Sequence, residues 1–162
     1  MQFLCVKHRL ALLFGPLAGL SILLLFSGCT TDPIAPQSGL PRAKALAMAQ
    51  QTADAFGGRV FTIAPTGSMK PTLDENSVVT VEVVPFDDLR VGDIVIYRDS
   101  AGLPIVHRLH HRSGSRWIVL GDNNSSTDRE TVTAVNLVGR VCAIFYTSSG
   151  ASPAGTTALA NR

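Results

Sequence analysis

The chain opens on a charged flank and then loses polarity for a long stretch. Lys7, His8 and Arg9 precede LALLFGPLAGLSILLLFSG, Leu10 to Gly28, 19 residues without a charge. About 20 apolar residues cross a bilayer core as a helix, so residues 1–28 read as a signal peptide or a membrane anchor. Residues 29–41 (CTTDPIAPQSGLP) have no apolar period and read as a linker. PRAKALAMAQQTADAF, Pro41–Phe56, is Ala-rich, with Pro at its start and Gly57-Gly58 beyond its end, which predicts a helix. From Arg59 the texture changes to short β-branched runs between turn residues. These predict strands at Arg59–Ile63, Val78–Val84, Asp93–Arg98, Pro104–His110, Arg116–Leu120 and Val132–Tyr146. Residues 148–162 are small and polar and predict a flexible tail. The predicted folded unit is residues 42–147, compact and mainly β with one leading helix.

Composition narrows the classes. With 46% hydrophobic and 16% charged residues, the chain can bury one core and is no disordered polyelectrolyte. The net charge of +2 belongs to Lys7 and Arg9; without them 12 basic residues face 12 acidic ones. No basic stripe is left for a nucleic-acid partner. Cysteines occur only at 5, 29 and 142, too few for a disulfide framework, and Cys142 is expected to be a buried free thiol.

The end of the apolar run is informative. Phe26-Ser27-Gly28-Cys29 resembles the lipobox of bacterial lipoproteins, in which the cysteine is lipidated, although Phe26 replaces the usual Leu. A plain membrane anchor is the alternative. The basic flank keeps the N-terminus cytoplasmic, so both readings put the domain on the extracytoplasmic side of a bacterial cell envelope, attached to a membrane.

Four blocks within the β region carry candidate chemistry. Ala64-Pro-Thr-Gly-Ser-Met-Lys-Pro-Thr-Leu73 sets Ser68 in an irregular segment, where its hydroxyl can project; a turn between strands would use the same residues. Leu89-Arg-Val-Gly-Asp-Ile-Val-Ile-Tyr97 reads as a turn feeding a buried strand, without evident chemistry. Pro104-Ile-Val-His-Arg-Leu-His-His-Arg112 holds three histidines. On a straight strand His107 and His111 share a face about 13 Å apart and His110 points away, so a zinc site is not expected there. His110 and His111 read as surface residues. Leu120-Gly-Asp-Asn-Asn-Ser-Ser-Thr-Asp-Arg129 is a turn with two acids; it lacks the spacing of a calcium loop.

In this order the blocks resemble the signal peptidase superfamily over roughly residues 60–145. Ser68, Met69, Pro71, Thr72 and Leu73 match its nucleophile motif, S-M-x-P-T-L. "IVHR" and "GDNN" resemble the histidine-using branch found in archaea and the endoplasmic reticulum. Ordinary bacterial members and the self-cleaving repressors use a lysine as base, but no lysine follows Lys70 here. The resemblance implies Ser68 as nucleophile, His107 as base and Asp128 as the acid that orients it. Asp122 is the alternative acid, or a structural one. It also implies an oxyanion hole from the Ser68 N–H and the group two residues earlier, Thr66.

The chemistry suits the residue types. A serine hydroxyl needs a base to take its proton during attack, and imidazole, with an ordinary pKa of about 6.5, can do so and then protonate the leaving amine. An aspartate on the far ring nitrogen sets the tautomer. The expected activity is therefore serine-type endopeptidase, a hydrolase processing signal peptides of exported pre-proteins at small residues, as a monomer without cofactor or metal. Ser68 lies 39 positions after Cys29, further than such enzymes usually place it from a membrane span, which suits a dedicated processing peptidase. The alternative is an inactive or autoprocessing envelope lipoprotein that keeps the peptidase fold to bind partners.

Overall fold

The computed structural model describes residues 33–148 and, beyond them, Ala158–Leu159. All of these belong to the second of two compact units, residues 32–162. The apolar run at 10–28, Cys29 and most of the expected tail lie outside the described residues. Among the described residues no helix is long and apolar enough to cross a membrane.

Besides a 3-10 turn at Phe86–Asp88, the described residues form one α-helix and eight strands: α1 (Arg42–Phe56), β1 (Arg59–Ile63), β2 (Ser77–Glu82), β3 (Ile94–Arg98), β4 (Pro104–Ser113), β5 (Arg116–Leu120), β6 (Thr131–Val132), β7 (Leu137–Tyr146) and β8 (Ala158–Leu159). They form a single sheet in the order β6-β5-β4-β3-β7-β2-β1-β8. Every pairing is antiparallel except the last, in which Ala158 and Leu159 run parallel to Thr62 and Ile63. The expected mainly-β class with one leading helix is what forms.

α1 packs through its smallest residues. Ala45, Ala49 and Ala53 recur every four positions, are wholly buried with Val78 beneath them, and let the Thr80 hydroxyl reach the Ala49 carbonyl at 3.0 Å. Gly57 ends the helix in the left-handed region at φ 63°, where a side chain would be strained. The sheet buries apolar side chains on both faces. Ile63, Met69, Leu73, Val79, Val81, Ile96 and Val106 make one cluster. Leu89, Val95, Tyr97, Leu109, Trp117 and Val119 lead the other. β3 is the central strand and contributes to both, which is why IVIY reads as a continuous apolar run.

Three expectations are corrected. Val132–Tyr146 is not one strand: residues 133–136 turn, because the Asn136 side chain accepts from the Thr133 N–H at 2.7 Å and donates to the Thr131 and Arg98 carbonyls. Cys142 is exposed rather than buried. It is the extra residue of a β-bulge, since Thr80 pairs with Ala143 and Val81 with Val141. The linker touches the domain at two points: Ala35 is buried and Ser38 Oγ donates to the Tyr146 carbonyl at 2.5 Å. Within the expected tail, Ala158 and Leu159 pair with β1 as β8.

Candidate active site

Three segments meet at His107 and Arg108, midway along β4. The first follows β1. Gly67 takes φ 78°, the left-handed region, and the Lys70 N–H closes the turn onto the Gly67 carbonyl at 3.1 Å. Lys70–Pro71 is cis. Met69 and Leu73 are both buried in the core, so the segment is anchored immediately after Ser68.

The second is β4 itself. Antiparallel register sets His107 opposite Val95 and Arg108 opposite Ile94, and alternation sends these two neighbours to opposite faces. His107 is 1% exposed. The third is the loop from β5 to β6, which carries Gly121, Asp122, Asn123 and Asp128. Its Asn123 holds the serine turn twice, through its N–H to the Ser68 carbonyl at 2.8 Å and its Nδ2 to the Gly67 carbonyl at 3.2 Å. At its far end the Asp128 N–H donates to the Val119 carbonyl at 3.0 Å.

Gly121 is required by space. A Cβ there would stand 2.7 Å from the Ser68 carbonyl oxygen and 2.9 Å from His107 Nε2, closer than carbon atoms are tolerated. The absent side chain is what lets this loop, the serine turn and the histidine close on one another.

The resulting geometry is a chain of hydrogen bonds. Ser68 Oγ is 3.1 Å from His107 Nε2, and His107 Nδ1 is 2.5 Å from Asp128 Oδ2. A carboxylate can only accept, so Nδ1 carries the proton and Nε2 turns its lone pair to the serine hydroxyl. The Tyr97 hydroxyl donates to the same Asp128 oxygen at 2.5 Å. Burial pushes the Tyr97 hydroxyl well above the ordinary phenol value, and its bond to Asp128 adds to this, so it is a donor at every working pH.

Asp122 is engaged elsewhere. Arg108 grips it with two bonds, Nε to Oδ1 at 2.8 Å and Nη2 to Oδ2 at 2.7 Å, and the Thr72 hydroxyl also donates to it. Burial pushes the Asp122 carboxyl up, but the bonds from Arg108 and Thr72 and the Arg108 charge prevail and leave it below the ordinary carboxylate value. Of the two candidate acids, Asp128 touches His107 and Asp122 does not.

Thr66 is exposed, two residues before Ser68, and its N–H is tied to the Ala64 carbonyl at 2.9 Å. Among the described residues its hydroxyl and the Ser68 N–H have no hydrogen-bond partner. His110 and His111 are exposed, as expected, but not on opposite faces. A bulge in the β4–β5 pairing leaves His110 unpaired, and the two rings meet with their Nδ1 atoms 2.8 Å apart. Cys29 lies outside the described residues.

Sequence reasoning overlooked Tyr97, Arg108 and Gly121. Tyr97 was indistinguishable from a core aromatic, and Arg108 was hidden beside the histidine it accompanies. Gly121 belongs to a turn where glycine is ordinary. No family model matches the chain.

Proposed function

We propose that the chain is a membrane-attached serine endopeptidase of the signal-peptidase type, acting on exported pre-proteins through Ser68, His107 and Asp128. The observation that carries this reading is the unbroken relay from Ser68 Oγ through both nitrogens of His107 to Asp128. Few roles other than nucleophile activation explain why a buried imidazole is set between a serine and a carboxylate.

His107 takes the Ser68 proton as Oγ attacks a peptide carbonyl, and the tetrahedral oxyanion forms beside the Ser68 N–H. Thr66 supplies the second donor when its side chain turns inward. The imidazolium, held by Asp128, then protonates the leaving amine. Water attacks the acyl-enzyme by the same path in reverse, with His107 again the base. Asp122 acts at a distance, fixing Arg108 and Thr72 and so the shape of the serine turn. Cleavage after small residues, the envelope location and a monomeric state follow from the resemblance and from the apolar run at 10–28.

One observation favours self-processing as a second reading. β8 pairs with β1, the strand that leads into the serine turn, and also lies against β4, which carries the histidine. Two residues of the chain's own tail thus lie beside strands that build the site.

The test uses full-length protein in lipid vesicles with an exported pre-protein whose cleavage site has small residues. Wild type releases the mature protein and Ser68→Ala does not. Intact masses of the two chains, measured in parallel, expose any Ser68-dependent loss of the tail. A folded wild type that cuts neither the pre-protein nor itself defeats both readings.

A further inference from the structure

Tyr97 closes the apolar run of β3 and is 0% exposed, yet it ends in a hydroxyl. Its strand partner is Ile105, two residues before His107, so Tyr97 and His107 are diagonal neighbours on one face of the sheet. The ring spans from there to Asp128, which comes from a different segment. Both the Tyr97 hydroxyl and His107 Nδ1 stand 2.5 Å from the same oxygen, Asp128 Oδ2.

The surroundings give this double contact a purpose. Asp128 borders a cavity of about 440 Å³ lined also by Tyr97, Asp99, Ile105, Arg129 and Glu130. Its side chain is 15% exposed, and among the described residues Oδ1 has no partner. A carboxylate at the wall of an open space is free to turn unless something holds it. The neighbouring acids do not compete for the phenol. Asp99 accepts from the Ala101 and Leu103 N–H groups, and Glu130 accepts from Ser100.

We propose that Tyr97 is a positioning residue of the triad, which locks the Asp128 carboxylate with Oδ2 toward the imidazole and shares the charge of that oxygen. The effect on turnover rests on the Ser68–His107–Asp128 reading; the effect on the imidazole does not. Two donors on one oxygen each receive less of its charge. Removing the phenol hydrogen bond leaves a stronger acceptor for the Nδ1 proton, which favours imidazolium. The other charged groups around the site are Asp99, Glu130 and Arg129 at the cavity, and Asp122 with Arg108 across the strand. None of these is altered by Tyr97→Phe.

The experiment follows the His107 ring protons by NMR across pH in the full-length chain, in a Ser68→Ala background with and without Tyr97→Phe. The expected result is a titration midpoint higher by about half a pH unit or more in the Phe variant. In the active chain, Tyr97→Phe moves the acid limb of turnover by the same amount and lowers kcat about tenfold with KM unchanged. A residue needed only for packing would lower thermal stability and leave the midpoint alone; an unmoved midpoint overturns the proposal. Should Tyr97→Phe fail to fold, 3-fluorotyrosine incorporated into a Tyr146→Phe chain replaces it. The more acidic phenol then moves the midpoint down, and no movement is again fatal. If wild type hydrolyses nothing, the functional reading falls while the titration still decides the role of Tyr97.

Discussion

Two aspartates from one loop meet two adjacent residues of one strand, and the pairs end in different chemistry. On one face of β4, Arg108 holds Asp122 with two charged hydrogen bonds, and Thr72 adds a hydroxyl. On the other, His107 holds Asp128 with one bond, and Tyr97 adds a hydroxyl. Each site is a carboxylate, a nitrogen base and a hydroxyl donor. The difference lies in the base. A guanidinium keeps its proton at any accessible pH, so its pair can only brace the structure. An imidazole gives up and regains a proton near neutrality, and the one here has its free nitrogen on a serine. The comparison teaches that the acid within the GDNN turn is bound by a fixed cation, and the acid further along the loop is the one that meets the imidazole.

The sharpest way to break this contrast is to neutralise each acid in turn. Asp128→Asn is predicted to lower turnover about 10⁴-fold, because an amide cannot hold the required tautomer. Asp122→Asn, where it folds, should stay within about tenfold of wild type, since it touches neither Ser68 nor His107. A dead but folded Asp122→Asn beside an active Asp128→Asn would reverse the assignment.

Gly121→Ala tests whether the two sites share one close approach. Its Cβ crowds both the Ser68 carbonyl and His107 Nε2, so turnover should drop by at least about 10²-fold while far-ultraviolet circular dichroism keeps its β signature. Wild-type rates in this variant would mean that the loop has slack. Thr66→Val should cost about 10²-fold if the hydroxyl turns in to bind the oxyanion, with Thr66→Ser largely active. Equal rates for Val and wild type would assign the second donor elsewhere.

Smaller effects sharpen the structural side. Loss of the Asp122 charge should cost about 1–3 kcal/mol of stability at neutral pH, read by denaturant unfolding. The sign follows from a folded-state carboxyl held below its ordinary value of 3.8. Its stabilisation is complete above that value and is lost as pH falls through the lower, folded value. Wild type and Asp122→Asn should therefore converge in acid, and a gap that widens there would contradict the pairing. Smallest of all, His110→Ala and His111→Ala should change stability by no more than about 0.5 kcal/mol and leave turnover alone.

Much of this was legible in the chain. β1 and β5 stand where the β-branched runs predicted, and α1 starts one residue inside its Pro41. Ser68, His107 and Asp128 were legible because their motifs surround them with distinctive neighbours. What escaped has a common cause. The bulges at His110 and Cys142 insert a residue into an alternation that a sequence shows unbroken, so the opposite faces of His110 and His111 and the burial of Cys142 were misjudged. Tyr97 escaped because periodicity sees its ring and not its hydroxyl. The choice between Asp122 and Asp128 needed the folded loop, since alternation parts Arg108 from His107 but does not show which acid reaches which of them.

The most direct measurement is the site of acylation by a serine-reactive probe, mapped by mass spectrometry on the folded full-length chain. A single adduct is predicted on Ser68, formed at a rate that rises with pH through one ionisation and then levels off. It should disappear in His107→Ala and fall steeply in Asp128→Asn, and Asp122→Asn should retain it. No adduct on folded wild type, or an adduct on Ser68 that His107→Ala leaves at full rate, would contradict the account.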